Sequence, residues 1–142
     1  MSGTSSLTVG SAGGTDAGST VELRLPADGA FASVLRTLAA GLGARLDFTM
    51  DDIEDLRVVV SEAAALVIEQ ADEGGDLHCT FRLSPDRVEI TASTDAAAPA
   101  AADYENFAWQ VLAVLTEDAA IDSSPGNYAI RATVTSSLAA GE

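Results

Sequence analysis

From Thr49 to Ala71 apolar residues recur at spacings of three and four: Ile53, Leu56, Val60, Ala63, Val67 and Ala71, with Val59, Ala64 and Ile68 widening the stripe. That period predicts a long amphipathic helix lying on a core. Thr49 followed by Asp52 resembles a capping box, and Asp51, Asp52, Glu54 and Asp55 crowd the first turn, where the helix dipole favours negative charge. The helix ends in ADEGGD, since Gly74 and Gly75 leave helical geometry at little steric cost. Glu62 sits mid-helix at the edge of the apolar face, either as a solvated glutamate or as the lining of a site.

The rest of the chain is arranged around this helix. Residues 1–19 hold too little large apolar side chain to offset ordering entropy, which predicts a flexible tail. Val21, Leu23 and Leu25 alternate as a strand that Pro26 ends. Asp28 then caps a helix whose apolar residues Phe31, Val34, Leu35, Leu38 and Leu42 have helical spacing, with Gly41 and Gly43 as its stop and Ser33, Arg36 and Thr37 on its other face. After the long helix, Leu77 to Leu83 and Val88 to Ala92 read as strands joined by the turn SPDR. Residues 93–103 read as a loop. Asp103 caps a helix over Tyr104 to Leu115 with Phe107, Val111, Val114 and Leu115 as the core stripe, Trp109 and Leu112 alongside. A short strand at Ala119 to Asp122, the turn SSPGN and a strand at Tyr128 to Thr135 complete the order. This order predicts an α+β fold: a two-layer sandwich of a mixed, largely antiparallel sheet with helices on one face.

Composition narrows the function. The 142 residues, 47% hydrophobic, suffice for one domain with a sizeable core. A net charge of -15 argues against binding nucleic-acid phosphates and favours a basic partner. Cys79 is the single cysteine, so no internal disulfide and no cysteine-based metal site is available. No apolar run is long enough to span a membrane and the Ser/Gly-rich start lacks a signal peptide's basic and apolar regions, so the expected setting is the cytoplasm. The one histidine, His78, neighbours Cys79 on a strand, where adjacent residues face opposite ways and cannot share a site. There is no Walker A sequence, no dinucleotide GxGxxG and no Ser/His/Asp set. The pairs Asp51 with Asp52 and Asp72 with Asp76 are candidate cation ligands or, as charge runs usually are, solvated helix ends.

The run FTMDDIEDLRVVVSEAAALVIEQA resembles the helix of the RsbW-type and sporulation anti-sigma factors, members of the histidine-kinase-like (GHKL) ATPase superfamily. VELRLPADGAFASVLRTLAAGLGA is similar to that family's first strand and helix, and FAWQVLAVLTEDAAIDSSPGNYAIRATVTSSL to its last helix, IDSSP turn and final strand. The resemblance implies one such domain over residues 20–138. It also implies Mg-ATP as cofactor, phosphorylation of an anti-anti-sigma (STAS-type) protein on serine, and a homodimer whose first helix engages a sigma factor. On this chain that surface would include Ser33, Arg36 and Thr37.

This chain departs from the family at the nucleotide site. Glu62 matches the family's glutamate, but the magnesium-ligating asparagine one turn on is Leu66, which offers no oxygen to a hard cation, and the next position is Gln70. Asp95 stands near the aspartate that reads adenine, yet Ala96, Ala97 and Ala98 replace the glycines that let the backbone approach a nucleotide. The second glycine-rich motif reads AAADYENF, and the lid region holds no basic residue for a triphosphate. The expected function is therefore sequestration of an alternative sigma factor, released by partner switching, with no cofactor or only weak Mg-ATP binding. An active serine kinase with Glu62 as base is the alternative. A third possibility is an adaptor that keeps the scaffold and binds something else.

Overall fold

The computed structural model describes residues 6–11 and 18–140. Its long helix α2, Met50–Gln70, starts where the capping residue predicts: Thr49 is extended and its hydroxyl accepts a hydrogen bond from the Asp52 amide at 3.1 Å. Ahead of it lie strands β1 (Ser6–Ser11) and β2 (Ser19–Pro26), a 3-10 turn over Gly29–Phe31 capped by Asp28, and helix α1 (Ala32–Arg45). Behind it come β3 (Asp76–Ser84), β4 (Arg87–Ala96), helix α3 (Phe107–Leu115), β5 (Asp118–Ser124), β6 (Gly126–Thr135) and a short α4 (Ser137–Ala140). The six strands form one sheet in the order β1-β2-β3-β4-β6-β5, and every pairing is antiparallel.

Alternation along the strands decides which face is covered. Leu23, Leu25, Phe81, Leu83, Val88, Ile90, Ile130 and Val134 are buried, while Glu22, Arg24, His78, Arg82 and Arg131 on the opposite face are exposed. Burying one side chain of this size contributes roughly 1.5–3 kcal/mol, so a one-residue slip in register would lose several such terms at once. The helices cover the apolar face, with α2 lying across β4 and β6 between α1 and α3. The α+β sandwich expected from the order of elements is thus the observed architecture. No helix among the described residues is long and apolar enough to cross a membrane.

Five local expectations need correction. Ser6–Ser11, inside the expected tail, pairs with β2 as an edge strand, because backbone hydrogen bonds need no apolar side chain. Residues 1–5 and 12–17 of that segment lie outside the described residues. Helix α1 runs through Gly41 and Gly43 to Arg45, since Gly43 is buried where α1 meets α2 and a Cβ there would lie 2.9 Å from Ile53 Cγ1. Strand β4 continues to Ala96, four residues into the expected loop, through its ladder with β6. The cap of α3 is Asn106, whose Oδ1 accepts from the Ala108 amide at 2.7 Å; the Asp103 carboxylate instead closes a turn onto the Glu105 amide at 3.0 Å. The buried residues of α3 are Trp109 and Leu112, whereas Phe107 and Val114, expected in the core, are 78% and 81% exposed.

Candidate functional site

Three residues of α2 that share one face in successive turns, Glu62, Leu66 and Gln70, run toward the loop that follows β4. Glu62 is half-buried. Leu66 is only 7% exposed and packs in the hydrophobic core, so the position offers hydrocarbon and no oxygen. Gln70 reaches the loop, its Oε1 accepting a hydrogen bond from the Ala100 amide at 2.8 Å.

The loop is held at two further points. The Asp72 carboxylate accepts from the Ala97 amide with both oxygens at 3.2 Å, and the Ser123 hydroxyl donates to the Ala100 carbonyl at 2.7 Å. Backbone amides hydrogen-bonded to an ionised carboxylate make some of the stronger polar contacts available to a surface loop. Asp95 is exposed and paired in the ladder with Asn127, and its carbonyl faces the Asp72 amide at 3.5 Å. The sequence alone did not identify Gln70, Asp72 and Ser123 as anchors, because their partners are 30, 25 and 23 residues away and leave no periodic signature.

The segment that runs from β4 to β6 carries charge of one sign. Between Arg87 and Arg131 the chain has no arginine, lysine or histidine. Tyr128 is buried there, and its phenol is pushed above the ordinary value first by burial and then by the negative charges of Glu69 and Asp103 and by Tyr104. The Tyr104 ring meets Trp109 edge to face, with centroids 4.9 Å apart. Among the described residues no group of three or more His, Cys, Asp or Glu is placed to hold a metal ion.

Asp52, Asp72 and Asp76 of the acidic pairs are structural anchors, while Asp51 is exposed. Asp52 is buried, and its Oδ2 accepts from the Ser137 amide at 2.9 Å and hydroxyl at 2.8 Å, tying the start of α2 to the start of α4. Burial works against its charge, but the hydrogen bonds from Ser137 and Thr49 outweigh it and hold the carboxyl below its ordinary value. Asp72 holds the loop, and Asp76 pairs with Arg24 at 2.7 Å. Neither pair is simply a solvated helix end. His78 is exposed and Cys79 buried, on opposite faces of β3.

On the other flank of α2, α1 presents Ser33 and Thr37 to solvent. Arg36 is half-buried, its Nη1 3.4 Å from the Ser61 hydroxyl, so it is tethered to α2 and is not a freely exposed position.

Known proteins bear on this arrangement. No family model matches the chain. The serine-protein kinase RsbW of Halalkalibacterium halodurans is 43% identical over 72 residues, which is 50% of this chain and 44% of that protein. RsbW of Bacillus cereus strain B4264 is 33% identical over 75 residues, 51% of this chain and 47% of that protein. The chain is similar to RsbW proteins over about half of its own length. Its matched part spans less than half of their length. The RsbW relationship and the antiparallel sheet with helices on one face agree with the histidine-kinase-like sandwich that the sequence resembles.

Proposed function

We propose that this RsbW relative is an anti-sigma factor. It sequesters an alternative sigma factor and releases it when an anti-anti-sigma (STAS-type) protein competes for it, with ATP binding lost or weak. The observation that carries this reading is the state of the nucleotide positions. The metal-ligand position is a core leucine, Leu66, and the loop that would open around adenine is fastened by Gln70, Asp72 and Ser123. No cation lies between Arg87 and Arg131 to meet a triphosphate. These residues do not fit Mg-ATP.

Release under this reading is thermodynamic: a competitor that binds an overlapping surface more tightly shifts the population without chemistry by this chain. The domain of residues 20–138, its sheet extended by the edge strand Ser6–Ser11, acts in the cytoplasm without contacting DNA or membrane, and works as a homodimer. Ser33, Arg36 and Thr37 on α1 form the sigma-facing surface. Calorimetric titration with Mg-ATP, followed by a candidate alternative sigma factor, tests the proposal. Sigma binding at micromolar concentration without a nucleotide signal is the expected result; micromolar ATP binding, or no binding of any alternative sigma factor from the same cell, overturns it.

A second reading, an active serine kinase, is favoured by the chain's similarity to serine-protein kinases and by the retention of a half-buried Glu62. It requires transfer of labelled phosphate to an anti-anti-sigma protein that is abolished in Glu62→Ala.

A further inference from the structure

The outward face of α3 is a contiguous apolar surface unrelated to the nucleotide positions. Phe107 and Val114, about two turns apart, are 78% and 81% exposed, and together with Gln110, Val111 and Leu115 they line one groove. Rotating the helix to hide them would expose Trp109 and Leu112, which are already packed in the core, so the exposure is a consequence of a correctly seated helix. Large apolar side chains grouped on a surface mark a contact region.

Charge says what covers it. The helix FAWQVLAVL has no charged residue, but exposed acids stand at both ends: Asp103 and Glu105 before it, Glu117 and Asp118 after it. A second copy of this chain is a poor occupant. Two α3 helices laid side by side, parallel or antiparallel, bring an acidic end against an acidic end in a molecule of net charge -15. A helix with an apolar stripe and arginine or lysine at its flanks meets opposite charge at both ends.

We propose that this face of α3 is a docking groove for a basic amphipathic helix of a partner protein, its apolar stripe covering Phe107, Val111 and Val114. The groove lies on the far side of α2 from Ser33 and Thr37, and the proposal holds whether or not a sigma factor binds at α1.

The test is fluorescence anisotropy of a labelled Leu/Lys amphipathic peptide of about five helical turns against the intact protein and its Phe107→Ser and Val114→Asp variants. Purely electrostatic attraction would be strengthened by the added carboxylate of Val114→Asp. The expected result is therefore diagnostic of apolar contact: a loss of affinity of about tenfold or more in both variants, with unchanged circular-dichroism melting curves. A Leu/Glu peptide of the same pattern should not bind. The proposal is overturned if the Leu/Lys peptide fails to bind at micromolar concentration, if Val114→Asp binds it as well or better, or if the Leu/Glu peptide binds equally. Sedimentation of a wild-type dimer that Val114→Asp dissociates would also overturn it, making a second copy the occupant.

Discussion

Asp52 does two jobs at the residue scale. Its amide is bound by the cap residue Thr49, and its carboxylate receives two hydrogen bonds from Ser137, joining segments 85 residues apart. Hydrogen bonds to a charged group are worth roughly 1.5–3 kcal/mol, so Asp52→Asn should destabilise the fold by about that amount at neutral pH in urea melts. Because the folded carboxyl titrates below its unfolded value, this contribution is fully present above the unfolded pKa of about 4 and is lost as pH falls through the folded one; wild type and variant should converge in acid. Asp55 has the opposite sign: burial first, then Asp52, Asp51 and Glu54, raise its carboxyl, so its ionised form opposes folding at neutral pH. Cys79 is a separate case. Burial pushes its thiol up to about 12, so a thiol-specific reagent at mildly alkaline pH should label it only after denaturant is added. Rapid labelling of the native protein would show that β3 opens.

For the elements, two glycines of one helix separate propensity from packing. Gly41 has open space around its missing Cβ, whereas at Gly43 a Cβ would press on Ile53. Gly41→Ala should stabilise the protein by about 0.5–1 kcal/mol through the unfolded state and helix propensity. Gly43→Ala gains the same propensity but meets overpacking of about 1–3 kcal/mol, so its melting temperature should not rise. The loop after β4 offers a third comparison. Asp72→Ala removes both carboxylate contacts to the Ala97 amide, and hydrogen exchange at Ala97 should accelerate while β4 remains protected. The elements also show where sequence reading succeeds and where it stops. Thr49 and the alternation of Val21, Leu23 and Leu25 announce their elements, because a cap and a period of two are local properties. In α3 apolar residues occur nearly all round, so periodicity could not choose the buried face, and contact with α2 settled it. Edge strand β1 and the anchors Gln70, Asp72 and Ser123 depend on partners distant in sequence, and no local pattern encodes them.

At the scale of the whole molecule, 22 acidic against seven basic residues make association with a basic partner sensitive to ionic strength. Under the proposed function, affinity for a sigma factor should fall as salt rises from about 0.05 to 0.5 M, where the screening length shrinks severalfold, and isothermal titrations across that range measure it. Insensitivity to salt would remove charge from the account of partner choice. The candidate nucleotide positions were legible as departures from a family pattern, since substitutions such as Leu66 are visible in one line of sequence. The loop pinned to the end of α2 beside them became visible only in three dimensions.

That pinned loop bears on timing. If the loop cannot open to admit a nucleotide, the protein has no internal clock: it enters no spent state and keeps no memory of how long a partner has been held. Under the proposed function, the fraction of sigma factor set free at any moment would then follow the relative amounts and affinities of the two competitors, as in a balance with no ratchet. Such a device responds reversibly and in proportion, and it resets as soon as the competitor is withdrawn.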